Sequence, residues 1–204
     1  MKKVLFVLLA MALLGGTVQA QSDFKSKVES ATGTKFYFGP KFGFNITSIS
    51  NSGYDKSKFS FLAGGFAEFR FNREFSFLAE LLYARQGDAD KHKDTKYRVR
   101  VNYLNIPLMA KYYVWQGLSV NFGPQIGFAL NARSVTKNDG STVKVKVRNL
   151  NTLDFGFGLG VSYDFDWGLV VSTRYNLGLT NVFDKDDVGN NKSRSFQLTA
   201  GWRF

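Results

Sequence analysis

The last ten residues of the chain, residues 195–204, read SFQLTAGWRF, and their pattern predicts a β-strand. The positions between the apolar residues are small or polar. A period of two places alternate side chains on opposite faces of a strand. The predicted strand therefore has one apolar face, which a protein core or a membrane must cover. The apolar residues of that face are Phe196, Leu198, Ala200, Trp202 and Phe204.

The first twenty residues, MKKVLFVLLAMALLGGTVQA, predict a signal peptide. Two lysines precede an apolar run at residues 4–14, and residues 18–20 (Val-Gln-Ala) form a small-x-small cleavage site. The apolar run is too short to cross a membrane as a helix. We therefore expect residues 1–20 to be removed after Ala20, leaving residues 21–34 as a polar periplasmic segment without regular structure.

The alternation recurs in seven further segments, which makes eight predicted strands. Short connections alternate with long polar ones, a pattern typical of outer-membrane barrels with an even number of strands. The seven segments are residues 35–46, 59–71, 75–84, 97–115, 118–130, 153–165 and 168–180. The short connections are residues 72–74, 115–117 and 164–168, and the long ones are roughly residues 47–58, 86–96, 131–149 and 181–194.

The fourth segment changes phase partway along its length. Val99, Val101 and Tyr103 are apolar at odd positions, whereas from Leu104 onward the apolar residues occupy even positions. One extra residue near Tyr103 and Leu104, a β-bulge, would keep both stretches facing the same way and would turn Lys111 inward. The alternative is that Lys111 points outward near the strand end and snorkels.

A secreted β-sandwich would also show alternation, but the composition of the two faces favours a closed barrel. One face carries phenylalanine on almost every strand, and the other mixes charges with glycine. Eight strands enclose an interior that side chains just fill, so small inward residues are needed there. The inward glycines are Gly64, Gly123, Gly127, Gly156, Gly158 and Gly160. The predicted fold of residues 35–204 is all-β, an eight-stranded antiparallel up-and-down transmembrane β-barrel in the cell outer membrane.

We expect two partners from this fold. Outer-membrane lipid covers the apolar outer face, and the terminal aromatic residues Phe204 and Trp202 resemble the signal by which the outer-membrane assembly machinery recognises its clients.

Five motifs follow one another in order along the predicted barrel: AELLYARQGD, YLNIPLMAKYYV, LSVNFGPQIGFAL, LDFGFGLG and STRYNLGLTN. Together they resemble the PorT-like outer membrane β-barrel proteins of Bacteroidetes over about residues 35–204. The motifs are structural, so the resemblance implies an outer-membrane barrel of mostly unassigned role. One member gives the family its name through protein secretion and gliding machinery, and no residue here carries that role over.

The predicted inner face carries many charges. Charges inside a narrow barrel must be paired or hydrated. We therefore expect a salt-bridge network that plugs the lumen, because eight strands are too few for an aqueous channel. The predicted acids are Glu68, Glu80 and Asp154, and the predicted cations are Lys35, Lys41, Arg70, Arg98, Arg100, Lys111, Arg174 and Arg203.

Catalytic and metal sites are poorly supported. The one histidine, His92, lies in a charged segment without a Ser or Asp pattern that would place it in a hydrolytic site. The acidic residues at 88 and 90, and at 184, 186 and 187, lack a calcium-loop spacing. The chain has no cysteine. We predict no cofactor, no metal, no enzymatic activity and no nucleic-acid binding.

Part of the formal net charge of +11 is concentrated near the predicted extracellular mouth. The stretch VKVKVR at residues 143–148 alternates valine with cations, and Asp139-Gly140 is a favourable hairpin turn before it. The predicted ligand is an anion such as lipopolysaccharide phosphate or an acidic polysaccharide. The alternatives are solubilising charge, or an edge that pairs with a partner's strand. The candidate residues are Lys96, Arg98, Arg100, Arg133, Lys144, Lys146 and Arg148.

These observations predict an integral outer-membrane barrel with a structural or interaction role, long extracellular loops and a plugged lumen. The prediction also includes a protein partner that binds the extracellular loops. The two other functions compatible with the sequence are a binding module for anionic ligands at the basic mouth and a narrow passive pore.

Overall fold

The computed structural model describes residues 18–49, 58–92, 95–138, 141–146, 153–181 and 192–204. These residues form one helix and nine strands. The elements are α1 (Val18–Thr32), β1 (Lys35–Ile49), β2 (Lys58–Arg70), β3 (Phe75–His92), β4 (Thr95–Trp115), β5 (Leu118–Asn138), β6 (Ser141–Lys146), β7 (Leu153–Asp164), β8 (Leu169–Asn181) and β9 (Lys192–Trp202).

Eight of the strands close into a ring, which confirms the predicted barrel. Each strand pairs antiparallel with its neighbours in the order β4-β3-β2-β1-β9-β8-β7-β5, and a β4–β5 pairing completes the circle. The remaining strand, β6, pairs only with residues 133–138 of β5, whereas β7 pairs with residues 118–128 of β5. Asn138 pairs with Ser141, so β5 and β6 form a hairpin around the predicted turn. The two turn residues, 139 and 140, lie outside the described residues.

The two faces of the barrel wall differ in exposure as the alternation predicts. Along β7, Phe157 and Leu159 on the outer face are 42% and 56% exposed, whereas Ser162 on the inner face is 3% exposed. Phe61 on β2 reaches 69%. Large apolar side chains with this much exposure, arranged as a continuous outer band, are typical of a lipid-facing wall.

Inward glycines give the interior room for larger side chains. A Cβ at Gly158 would lie 2.6 Å from Met109 Cε and 2.7 Å from Asn176 Oδ1. Met109 is fully buried and packs with Phe66, Leu78 and Val170 in a small apolar cluster. The absence of a side chain at this position of β7 therefore leaves room in the narrow bore for side chains from β4 and β8.

The predicted bulge exists, but on the partner strand. The β3–β4 pairing runs from Phe75 opposite Tyr112 to His92 opposite Thr95 with one constant register. The β4–β5 register shifts where Asn102 pairs with Asn131 and Tyr103 pairs with Ala129, which leaves Leu130 as the extra residue. The prediction of a bulge in β4 near Tyr103 and Leu104 was therefore wrong, and the irregularity that does occur in β4 lies at its end, between Tyr113 and Trp115.

The position of the bulge changes which residues face inward. Tyr103 is 5% exposed on the inner face, and Lys111 is inward and 2% exposed, as predicted. Because the β3–β4 register does not shift, positions 98 and 100 lie on the same face of β4 as Leu104, which is the outer face. The prediction that Arg98 and Arg100 belong to the inner face was wrong because β4 keeps its alternation through this point.

The segment before the barrel is helical, contrary to the expectation of no regular structure for residues 21–34. Helix α1 ends at Thr32. The next residue, Gly33, has a φ of 67°, which suits the position after a helix C-terminus, and its N–H donates to Glu29 O at 2.8 Å. Phe24 and Val28 pack on the outer face of β1 against Phe36 and Phe38. The hydrophobic periodicity that would predict this helix is weak, because only about one residue per helical turn contacts the barrel wall.

Among the described residues, no helix combines the length and apolar character needed to cross a membrane.

Candidate functional site

Two acids lie inside the barrel near its short turns. Glu68 on β2 and Asp164 at the end of β7 are 1% and 5% exposed. Lys111 Nζ lies 3.1 Å from Glu68 Oε2 and 2.8 Å from Asp164 Oδ1. The Tyr113 hydroxyl lies 2.6 Å from an oxygen of each acid and donates its single proton to one of them at a time. One lysine and one phenol thus join carboxylates from two distant strands.

Two arginines complete this group, which we call the rim cluster (Glu68, Asp164, Lys111, Tyr113, Arg70 and Arg203). Arg70 Nη2 lies 3.3 Å from Glu68 Oε1 and 3.3 Å from Asp164 Oδ2. Arg203 Nη1 lies 3.0 Å from Asp164 Oδ2. Both guanidinium groups also lie over the ring of Tyr37, at 5.2 and 4.8 Å. The rim cluster therefore holds three cations to two acids.

A second group, the middle cluster (Glu80, Lys41 and Arg174), is buried farther along the bore. Lys41 Nζ lies 2.5 Å from Glu80 Oε1, and Arg174 Nη2 lies 3.1 Å from the same oxygen. Lys41 also donates to Ser172 Oγ at 3.3 Å. Opposite charges from β1, β3 and β8 meet here. Breaking such a buried group by removing one partner destabilises strongly, because an uncompensated charge stays behind.

The interior also carries buried amides. Asn121 Nδ2 donates to Ser162 Oγ at 2.7 Å, and Asn176 Nδ2 donates to Ser195 Oγ at 3.3 Å. Asn105 Nδ2 and Gln197 Nε2 are buried without a hydrogen-bond partner among the described residues. Buried polar groups of this kind normally bind ordered water. The inner wall is therefore largely polar, with small apolar clusters such as the one around Met109.

The predicted salt-bridge network is confirmed around Glu68 and Glu80 and differs at the third acid. Asp154 accepts a hydrogen bond from Thr180 Oγ1 at 2.7 Å, and the described residues place no cation in an ion pair with it. Asp164 takes the role expected of Asp154. Sequence reasoning missed Asp164 by assigning residues 164–168 to a turn, although the alternation through Gly160 and Ser162 already places position 164 on the inner face.

The predicted cations of the inner face divide by depth. Lys41, Lys111 and Arg174 are buried in the two clusters. Arg70 and Arg203 are half-buried at the rim, and Lys35 is exposed. Lys41 and Arg174 are enclosed farther along the bore. At the rim, Lys111 is buried between the two acids, whereas Arg70 and Arg203 remain partly exposed.

The candidate anion-binding residues lie on strands that extend beyond the closed ring. Lys96, Arg98 and Arg100 are on β4, Arg133 is on β5, and Lys144 and Lys146 are on β6. The register sets Arg100 opposite Arg133, and Arg133 opposite Lys146. Val135 lies between Arg98 and Lys144. Arg148 lies outside the described residues.

The remaining predicted groups contribute no site among the described residues. His92 is the last residue of β3, opposite Thr95. The acidic residues at 184, 186 and 187 lie outside the described ranges. Within those ranges, no group of three or more His, Cys, Asp or Glu side chains is arranged to hold a metal ion.

The chain is similar to solved outer-membrane barrels. One is Ail, the attachment invasion locus protein of Yersinia pestis, in complex with the heparin analogue sucrose octasulfate. The two sequences are 14% identical and the TM-score is 0.51. The match covers 83% of this chain and 99% of the Ail chain. Another is Neisserial surface protein A, at 15% identity and a TM-score of 0.49, over 83% of this chain and 97% of that one.

No curated protein matches the chain. The family model described as outer membrane protein beta-barrel domain matches residues 19–184. That match spans most of the closed ring, and the exposed apolar band agrees with an outer-membrane location. The chain therefore belongs to the outer membrane protein beta-barrel domain family.

Proposed function

We propose that the chain is a non-catalytic outer-membrane barrel that acts through the surfaces of its long-loop end. The observation that carries this proposal is the ion pairing of the interior. The rim and middle clusters bring five cations and three acids into contact across the bore. A bore crossed by such contacts is plugged, which leaves the outer surfaces and the loops as the places where other molecules bind.

The orientation follows from barrel physics. Short turns and both chain ends lie on the periplasmic side, and the long connections lie outside. Phe204 and Trp202 serve as the recognition signal for the assembly machinery, and residues 1–20 are removed after export. Within its family, the chain belongs to the PorT-like group of Bacteroidetes on the five motifs quoted above.

Orientation can be tested because the chain has no cysteine. Asn138→Cys, at the end of β5, and Arg73→Cys, in the turn after β2, introduce one thiol each at opposite ends of the strands. A membrane-impermeant maleimide added to intact cells is expected to label the first variant and not the second. Labelling of Arg73→Cys alone would reverse the orientation and remove the proposed display of the long loops.

The closed lumen can be tested in a planar bilayer. Wild-type protein is expected to give no stepwise conductance, because the ion-paired clusters exclude a continuous water path. A stable conductance that increases in Glu80→Gln would support the narrow passive pore instead. The matched control is Glu74→Gln, an exposed change in a short turn that leaves both clusters intact.

A second candidate function is the binding of an anionic ligand by the basic residues of β4, β5 and β6. Its support is the register in which Arg100, Arg133 and Lys146 lie in one row. The structure of Ail contains a highly sulfated ligand. Sucrose octasulfate binding by the purified barrel tests this candidate. Binding that is unchanged by reversal of Lys144, Lys146 and Arg148 to glutamate would contradict it.

A further inference from the structure

Strands β3 to β6 continue beyond the closed ring as an extension made of residues 85–92, 95–102, 131–138 and 141–146. Cations and acids of this extension occupy opposite faces of the sheet. Inner-face positions follow Leu82 and Ala84, which are fully buried, and outer-face positions follow Tyr83, which is 41% exposed. The constant β3–β4 register and the pairings of β4 with β5 and β5 with β6 carry these faces across all four strands. The assignment of each position therefore follows from backbone pairing.

Outer-face positions of the extension hold nine cations and no acid, a set that we call the cation face. Inner-face positions of the same strands hold two acids, Asp88 and Asp90, and no lysine or arginine. Lys137, Arg85 and Lys91 join the residues recognised from sequence. The cation face comprises Arg85, Lys91, Lys96, Arg98, Arg100, Arg133, Lys137, Lys144 and Lys146.

Cations occupy directly opposed positions in two rows of the cation face. Lys91, Lys96 and Lys137 form one row, and Arg100, Arg133 and Lys146 form another. Like charges directly opposite each other destabilise a sheet. A bound polyanion reverses the sign of this interaction, because each phosphate then binds between neighbouring cations.

The cation face begins where the lipid-facing band ends. Position 85 follows Tyr83 by two residues, or about 7 Å along the strand. The polar layer of a bilayer is about 5 to 8 Å thick on each side of the hydrocarbon. The first cations are therefore level with lipid headgroups. A soluble anion at the mouth of the bore would instead meet the inner face, where the extension carries acids.

We propose that the cation face binds the phosphate groups of outer-leaflet lipid, in particular phosphorylated glycolipid of the lipopolysaccharide type. This inference rests on the anion binding proposed above and names membrane lipid as the source of the bound anion. The ligand is part of the membrane around the barrel, and it spans several rows at once. Binding fixes the β3–β6 extension on the membrane surface.

The test uses the full barrel in phosphatidylcholine nanodiscs that contain a small fraction of lipopolysaccharide. The readout is the number of lipopolysaccharide molecules captured per barrel, relative to empty nanodiscs. Arg100→Glu/Arg133→Glu/Lys146→Glu reverses one row, and its expected effect is a loss of enrichment of about tenfold. The matched control, Lys27→Glu/Lys35→Glu/Arg73→Glu, makes the same charge change at exposed positions in helix α1, at the start of β1 and in the turn after β2. Enrichment should persist in that control.

Two further arms distinguish the sources of the anion. Dephosphorylated lipopolysaccharide should show no enrichment with wild-type protein. In one outcome, wild type binds sucrose octasulfate and loses that binding in the row variant, yet fails to enrich lipopolysaccharide. That result would contradict lipid as the source of the anion and would leave the anion-binding proposal in place. If neither probe binds, both proposals fail. A heat-modifiable band from the row variant verifies that it is folded, and a neutral Arg100→Gln/Arg133→Gln/Lys146→Gln variant replaces it if the band is lost.

Discussion

The closed ring and the β3–β6 extension handle charge in opposite ways. Inside the ring, Glu80 binds Lys41 and Arg174, and Lys111 binds Glu68 and Asp164. In the extension, cation is set opposite cation by the register. An enclosed bore must neutralise its own charges. A wall that faces the surroundings has no such requirement, so the contrast distinguishes charges that are paired within the protein from charges that the register leaves opposite like charges.

The largest expected effect is loss of the acid in the middle cluster. Glu80→Gln leaves Lys41 and Arg174 buried without a counter-charge and should lower the free energy of unfolding by about 3 to 5 kcal/mol. Urea unfolding of the barrel in lipid vesicles measures this change. Lys41→Met/Glu80→Leu/Arg174→Met is the control, because it removes every charge of the cluster and should recover most of the loss. A wild-type midpoint for Glu80→Gln would mean that the cluster is hydrated.

Asp164 and Asp154 provide a matched pair of acids in one strand. Asp164→Asn removes the acid that binds three cations and should lower the free energy of unfolding by about 3 kcal/mol. Asp154→Asn should change it by less than about 1 kcal/mol, because an amide oxygen still accepts the Thr180 hydrogen bond. The same urea titration compares them. Equal losses would show that Asp154 is ion-paired as firmly as Asp164.

A smaller effect is expected at the phenol of the rim cluster. Tyr113→Phe removes a buried hydrogen bond to an ionised acid and should lower the free energy of unfolding by about 1 to 2 kcal/mol. Tyr112→Phe, on the exposed outer face of the same strand, is the control and should have little effect. If both variants unfold alike, the hydroxyl contacts of Tyr113 contribute nothing to stability.

The smallest expected effect has the opposite sign. Arg133→Ala relieves repulsion from Arg100 and Lys146 and should raise the free energy of unfolding by about 0.5 kcal/mol in zwitterionic lipid at low salt. High salt should abolish the gain by screening. Val135→Ala, at the next outer-face position of the strand, controls for loss of side-chain packing. Destabilisation by Arg133→Ala at low salt would mean that the like-charged row is compensated within the protein.

Most of the barrel was predictable because period-two alternation is a local property of the chain. The eight strands, their faces, the inward Lys111 and the ion pairs of Glu68 and Glu80 follow from it. Asp164 was missed at a strand end, where a turn and an inner-face position compete for the same residue. Helix α1 was missed because its contacts, Phe24 and Val28 with Phe36 and Phe38, depend on the folded wall.

By itself, the sequence determined which residues alternate, how many strands close the ring and which face of the ring meets lipid, since these depend on neighbours along one strand. The tertiary structure alone decided that the bulge belongs to Leu130 of β5 and not to β4. A bulge is a mismatch between two paired strands, and either strand can absorb the extra residue. That single difference moves positions 98 and 100 of β4 from the predicted inner face to the outer face.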